Sequence, residues 1–331
     1  PENRAGRTAH RDLTPENRAG RAAHRDVTPE NRAGRTAHRP PCQRGEALVR
    51  RSGCGTFAPM TPSLVMALVL AAEPPGGMTN SGGVSLGAWE SGYVYFHTQS
   101  NKVLPTTKLR IATGTSAGSA NALLALLTSC RDAEALPMQS LAWNLWGPVG
   151  LKQLFDKKRA SADALFVRDE MNRRVERLRE VWLQGLPADC DVVWGASVTR
   201  VEPRNVVIKP GLTAPRVLET FVVRIEGRGP GKAPRVSNYV ARDMLAPVPL
   251  LPFVDADDAE AAARNFSLLR DVMFASAAFP VAFSPSPIEY CLSKPGAEPD
   301  KMLACAQPED VDFFIDGGLF DLVLLALAER R

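Results

Sequence analysis

The chain has 331 residues, of which 45% are hydrophobic and 23% are charged, the proportions of an ordinary globular protein. This composition excludes collagen-like, coiled-coil and wholly disordered chains, and no apolar run reaches the roughly 18 residues of a membrane-spanning helix. The net charge of +4 comes from the N-terminus, because residues 1–51 contain 12 arginines and 6 acidic residues. The rest of the chain is slightly acidic and gives no electrostatic reason to expect a nucleic-acid partner.

The N-terminal segment repeats a 14-residue sequence, which reads TPENRAGRTAHRPP in its last copy. The repeats contain almost no large apolar side chain, so they cannot bury a core. We therefore predict that residues 1–59 form a disordered, arginine-rich tail, and that Met60 is an alternative start of the protein.

Residues 60–75 allow two interpretations. The apolar run 64–72 has the length of a signal-peptide core, and it also suits the first buried strand of a domain. A signal peptide would make the protein exported or envelope-associated, which the sequence slightly favours over a cytoplasmic location. Cys291 and Cys305 flank a polar loop that a disulfide could close in an oxidising compartment, and unpaired thiols are the alternative.

Hydrophobic periodicity predicts an α/β domain over residues 76–331, because strands alternate with helices. The first elements are a helix over 88–99, a strand over 107–113 and a helix of small apolar residues over 117–130. Further along, the pattern predicts a charged helix over 163–180, strands over 191–200 and 216–226, a loop over 227–235, a helix over 257–270, a strand ending in 313–316 and an apolar helix over 319–329.

The motif G-x-S-x-G occurs twice, around Ser85 and around Ser116. A nucleophile elbow requires a buried strand before the serine and a helix after it. Ser116 has both and is flanked by Gly114 and Gly118, whereas Ser85 has no convincing strand before it. We predict that Ser116 is a nucleophile at a helix N-terminus, where the helix dipole stabilises negative charge. A purely structural strand-to-helix turn is the alternative.

The loop around Gly82, Gly83 and Val84 suits an oxyanion hole. Consecutive glycines allow several backbone N–H groups to point into one concave site. An oxyanion hole needs such preorganised donors. A simple glycine-rich turn is the alternative interpretation.

Asp316 is the candidate general base. No histidine follows Ser116, and His97 lies about 15 Å along its helix from the glycine-rich loop, so a Ser-His-Asp triad is not expected. Asp316 ends a buried strand just before Gly317 and Gly318, where burial would raise its pKa. Capping of the following helix is the alternative role.

The sequence supports neither a metal site nor a cofactor. It contains no CxxC pair and no histidine–cysteine cluster. The acidic residues between 255 and 260 lie at the predicted start of a helix, where the helix dipole favours carboxylates.

Three segments in this order resemble the patatin-like phospholipase family: the loop at 81–87, GTSAG at 114–118 and DGG at 316–318. The segments GASVTRVEP at 195–203 and ASAAFPVAFSP at 275–285 are also similar to that family. The resemblance covers about residues 78–325 and implies a three-layer α/β/α fold with a mostly parallel central sheet. It also implies a metal-free Ser-Asp dyad that hydrolyses lipid acyl esters through an acyl-enzyme.

The resemblance assigns a role to each matching residue. Ser116 would be the nucleophile, Asp316 its base, and the backbone amides of residues 82–84 the oxyanion hole. The expected partner is a phospholipid or another acyl ester, reached by peripheral contact with a membrane.

The chain departs from the family pattern at several positions. Val84 replaces the usual third glycine, Leu86 replaces a basic residue, and residues 322–324 replace an Asn-Pro pair. The chain ends soon after Asp316, so we expect it to be truncated at its C-terminus. An alternative is therefore a lipid-binding or interaction domain with impaired catalysis, and an acyltransferase is a third interpretation.

Overall fold

The computed structural model describes residues 74–320, apart from residues 135, 241–245, 306 and 309 and the side chains of residues 84, 299 and 300. The predicted tail (1–59), the apolar run of residues 64–72 and nearly all of the predicted helix 319–329 lie outside the described residues.

Within the described residues, eight strands form the sheet: β1 (Pro75–Asn80), β2 (Lys108–Thr115), β3 (Asp191–Lys209), β4 (Leu212–Glu226), β5 (Arg235–Asn238), β6 (Pro249–Leu250), β7 (Ser286–Leu292) and β8 (Asp310–Asp316). Their order is β1-β2-β3-β8-β7-β6, and β4 pairs with both β3 and β5. The sheet is mixed, since β1, β2 and β3 are parallel to one another and the other pairs are antiparallel. The parallel strands bring their carboxyl ends to one edge, where ligand sites of α/β proteins form.

Seven helices accompany the described strands: α1 (Gly87–Val103), α2 (Ala117–Ser129), α3 (Leu141–Trp146), α4 (Leu151–Leu154), α5 (Asp169–Gln184), α6 (Ala259–Ser276) and α7 (Pro299–Met302). Helices α2 and α6 pack on the central strands, and α1 packs on α2. Residues 192–200 of β3 are buried without alternation, so both faces of the sheet are covered at its centre. The predicted three-layer α/β/α architecture is confirmed.

Strand β1 forms although its sequence does not favour a strand. Residues 76–80 read GGMTN and favour no regular structure. They nevertheless form β1, because parallel pairing with β2 brings Asn80 opposite Gly114 and supplies the backbone hydrogen bonds. The view that Ser85 lacks a preceding strand is therefore wrong. Ser85 itself lies in a 3-10 turn, Val84–Leu86, rather than at a strand-to-helix elbow.

Two predicted helices begin later than expected. The predicted helix 163–180 begins at Asp169, since the backbone N–H groups of Leu165 and Phe166 donate to the carbonyls of residues 281 and 282 instead. The predicted helix 257–270 begins after Asp258, whose carboxylate caps it by accepting the N–H of Ala261 at 2.8 Å.

The predicted strands 191–200 and 216–226 are both longer in the structure. They extend into the hairpin formed by β3 and β4, whose turn contains Gly211 at a positive φ of 78°. The Gly/Pro-rich segment that follows is a loop up to β5, as predicted.

Two disulfides join the described cysteines. Cys291–Cys305 closes the polar loop between β7 and β8. The sequence left open whether these cysteines form a disulfide or remain unpaired thiols, and the structure shows the disulfide. Cys130–Cys190 was not predicted, and it links the end of α2 to the start of β3. None of the described helices has the length and apolar character needed to cross a membrane.

Candidate active site

Ser116 occupies a strained turn between β2 and α2. Its backbone angles are φ 56° and ψ −131°, a region that costs a residue with a side chain roughly 1–3 kcal/mol. Its N–H donates to the Ser276 hydroxyl at 2.9 Å, which ties the turn to the end of α6. Ser116 is only 4% exposed, so its hydroxyl is held away from bulk water at the N-terminus of α2.

The glycines on either side of Ser116 permit this turn to form. A Cβ at Gly114 would lie 2.0 Å from the carbonyl oxygen of Gly118, and a Cβ at Gly118 would lie 2.5 Å from the carbonyl oxygen of Asn80. Because backbone atoms cannot yield as a flexible side chain can, no larger residue fits at either position. The motif glycines let the elbow pack against the end of β1.

The structure brings Asp316 to Ser116. The Ser116 Oγ donates to Asp316 Oδ2 at 2.5 Å, and the N–H of Gly318 donates to Asp316 Oδ1 at 2.7 Å. Asp316 is 2% exposed. Burial raises the pKa of the Asp316 carboxyl, and the hydrogen bonds from Ser116 and Gly318 offset part of that rise. This pair has the geometry of a nucleophile with a general base.

The register of β3 explains why the two side chains meet. Along one edge of β3, Ser197 pairs with Thr115 at the end of β2, and Val198 pairs with Asp316 at the end of β8. Strand β4 occupies the other edge at both positions. Strands β2 and β8 thus end at neighbouring residues of one edge, and the residue after Thr115 is Ser116.

The glycine-rich loop lies beside Ser116. A Cβ at Gly82 would lie 3.1 Å from the Ser116 Cβ, so the loop backbone approaches the serine closely. The N–H groups of Gly82 and Gly83 donate to no acceptor within the described part of the chain. The Gly83 carbonyl accepts the N–H of Leu86 at 2.8 Å, which closes the turn that contains Val84. The loop therefore offers free backbone donors next to Ser116.

An apolar cavity of about 420 Å³ opens at Ser116. Its walls include residues of six helices, α1 to α6. Sequence reasoning could not bring these residues together, because they are far apart in the chain. Representative lining residues are Ala117, Trp146, Leu151, Met171, Phe274 and Phe279. A cavity with this lining accommodates a hydrocarbon chain. A polar cleft of about 510 Å³ at the amino ends of β2 and β3 contains none of the predicted site residues.

His97 is not among the hydrogen-bond partners of Ser116 or Asp316 in the described part of the chain. His97 lies in the third turn of α1, where its ring neighbours Tyr93 at 6.2 Å between centroids. Among the described residues, no three His, Cys, Asp or Glu side chains are arranged to hold a metal ion.

A buried serine at a strand-to-helix turn that donates a hydrogen bond to a carboxylate is an arrangement typical of serine hydrolases. The family model described as patatin-like phospholipase matches residues 79–328, which is about three quarters of the chain. The chain therefore belongs to the patatin-like phospholipase family, and at this coarse level it is a lipid acyl hydrolase. A comparison with curated proteins gave no match.

Proposed function

We propose that the protein hydrolyses acyl esters of phospholipids or related lipids through an acyl-enzyme on Ser116. The observation that carries this proposal is the 2.5 Å hydrogen bond between Ser116 Oγ and Asp316 Oδ2, with Ser116 in the wall of an apolar cavity. A nucleophile, its base and a site for an alkyl chain thus meet at one point.

The reaction begins when Ser116 Oγ attacks the ester carbonyl and Asp316 accepts the hydroxyl proton. The carbonyl oxygen then carries negative charge, and the backbone N–H groups of residues 82–84 hydrogen-bond it. As the tetrahedral intermediate collapses, the ester C–O bond breaks and Asp316 returns the proton to the leaving alcohol. A water molecule, deprotonated by Asp316, then attacks the carbonyl carbon of the acyl-enzyme. The bond from that carbon to Ser116 Oγ breaks, Asp316 returns the proton to Ser116, and the fatty acid is released.

The raised pKa of Asp316 suits this role. A carboxylate in bulk water is a weak base towards a serine hydroxyl, and burial makes it stronger by disfavouring its charge. The N–H of Gly318 holds one carboxylate oxygen, so the other faces Ser116.

We further propose that the cavity mouth rests on a lipid surface. Leu151 and Phe279 line the cavity, yet Leu151 is 68% exposed and Phe279 is 43% exposed. Helix α1 starts next to the cavity and exposes Trp89 and Phe96. Exposed apolar side chains around an acyl-chain site favour peripheral contact with a membrane, where Trp is well suited to the interface.

The test is release of fatty acid from phosphatidylcholine vesicles by the purified protein. We expect hydrolysis by the wild-type protein and its loss in Ser116→Ala. The Ser85→Ala variant changes the serine of the other G-x-S-x-G motif and should still hydrolyse the lipid. Absence of hydrolysis by the wild-type protein on phospholipid and simple esters alike would favour a domain with impaired catalysis.

A further inference from the structure

The side chains of Glu90 and Asn121 hydrogen-bond the backbone on the two sides of the glycine-rich loop. Glu90 Oε1 accepts the backbone N–H of Ser81 at 3.0 Å, just before the loop glycines. Asn121 Nδ2 donates to the carbonyl oxygen of Gly87 at 2.9 Å, just after the loop. The same Nδ2 donates to Glu90 Oε2 at 2.8 Å and so joins the two anchors.

The network also reaches the nucleophile helix and the cavity wall. Asn121 lies on α2, five residues after Ser116, and is fully buried. Its Oδ1 accepts the indole N–H of Trp146 at 2.8 Å, and Trp146 lines the cavity. Because the Nδ2 group donates to Gly87 and Glu90 and Oδ1 accepts from Trp146, only one orientation of the Asn121 amide satisfies all three hydrogen bonds. The hydrogen bonds of Asn121 therefore fix the position of the loop relative to α2, the helix that begins directly after Ser116.

The chemistry of Glu90 argues against a purely packing role. Glu90 is half-buried, and this partial burial raises the pKa of its carboxyl, while the hydrogen bonds from Asn121 and Ser81 oppose that rise. Withdrawing part of a carboxylate from water costs free energy, and an apolar residue would pack α1 at no such cost. The hydrogen bonds that offset this cost come from Ser81, at the start of the loop, and from Asn121, which bonds the end of the loop. Both therefore suit a residue whose role is to position the loop.

We propose that Glu90 and Asn121 are positioning residues that hold the N–H groups of Gly82 and Gly83 at the point where the oxyanion forms beside Ser116. The proposal rests on the proposed function, since an oxyanion forms only if Ser116 attacks a carbonyl. Donors stabilise an oxyanion only within a narrow range of position, and displacement by about 1 Å can cost about 10²-fold in rate.

The sharpest readout is the ratio of kcat/KM for an oxoester to kcat/KM for its thionoester analogue. Sulfur is a weak hydrogen-bond acceptor, so a well-placed oxyanion hole favours the oxoester. A displaced loop should lower that ratio and kcat, with little change in KM. A role in folding alone would lower the melting temperature and leave the ratio unchanged.

Two variants of Glu90 should lower kcat to different extents. Glu90→Ala removes both accepted hydrogen bonds, and we expect kcat on the oxoester to fall by about 10- to 100-fold. Glu90→Gln keeps an acceptor for Ser81 but turns a donor towards Asn121, so an intermediate loss is expected. Because Glu90→Gln keeps the size of the side chain, it should remain folded even if Glu90→Ala does not.

Gln99→Ala is the matched control. Gln99 lies on the same helix, about 13 Å further along, and its Oε1 accepts the N–H of Glu134 at 2.8 Å. Its replacement also removes a hydrogen bond from α1 but does not touch the loop. We expect the oxoester-to-thionoester ratio of Gln99→Ala to equal that of the wild-type protein.

The outcomes separate this proposal from the proposed function. If the wild-type protein neither hydrolyses esters nor reacts with a fluorophosphonate at Ser116, the proposed function fails. If the wild-type protein does both, and folded Glu90→Gln and Glu90→Ala retain the wild-type ratio, the positioning role is overturned while the hydrolase remains.

Discussion

Ser116 and Asp316 lie 200 residues apart in the sequence, and their side chains share a 2.5 Å hydrogen bond because β2 and β8 end at adjacent residues of β3. Both side chains are buried, so the bond forms where water competes little for it. A serine and a carboxylate are thus paired by strand register, with no histidine between them.

The pH dependence of turnover should reveal the ionisation of the Asp316 carboxyl. The carboxyl must be ionised to accept the serine proton, and burial raises its pKa. We expect kcat/KM to fall as the pH drops through an apparent pKa above the value of about 3.9 for a free aspartate. Measuring kcat/KM for a soluble ester over a series of pH values gives this apparent pKa. An apparent pKa at or below that of free aspartate would show that the essential base is not the buried Asp316.

The same pKa shift predicts the stability of Asp316→Asn. The folded state holds the proton more tightly than the unfolded state, so the contribution of Asp316 to stability is lost as the pH rises through the raised pKa. Relative to wild type, the free energy of unfolding of Asp316→Asn should therefore rise from pH 4 to pH 7. Urea unfolding at both pH values measures it, and a relative fall would contradict the assignment.

His97→Ala should leave catalysis nearly unchanged. His97 lies in the third turn of α1 beside Tyr93, and the only side-chain partner of Asp316 among the described residues is Ser116. We expect kcat/KM to change by less than about threefold, because removal of a true general base costs about 10²–10⁴-fold. If a folded His97→Ala protein lost activity as severely as Ser116→Ala, a triad would replace the dyad.

Much of the candidate site could be predicted from the sequence, because its residues lie in contiguous motifs. The strand before Ser116, the glycines around it and the buried helix after it are local signals, and Asp316 ends a strand beside Gly317 and Gly318. Each of these patterns has a local physical cause, either a tight turn or a buried strand.

Other parts of the structure depend on contacts that no local pattern shows. Strand β1 forms through pairing with β2, despite its glycines. The anchors Glu90 and Asn121 are 31 residues apart and meet only once α1 packs on α2. The partner of Cys130 could not be inferred either, since connectivity does not follow from spacing alone.

The two disulfides should differ in their contribution to stability. Cys130–Cys190 closes a loop of 60 residues and Cys291–Cys305 one of 14 residues. Loop entropy assigns them about 4 and about 3 kcal/mol respectively. Replacing each pair by serines and measuring urea unfolding should show the larger loss for Cys130–Cys190. A larger loss for the shorter loop would show that native-state strain, not loop entropy, dominates.

The rate at which a fluorophosphonate labels Ser116 tests the central claim most directly. With the label located by mass spectrometry, we expect the wild-type protein to be modified at Ser116 and the Ser116→Ala protein to remain unmodified. Asp316→Asn should react about 10²–10⁴-fold more slowly, because its amide cannot accept the serine proton. Labelling of another residue, or an unchanged rate in folded Asp316→Asn, would contradict the Ser116–Asp316 dyad.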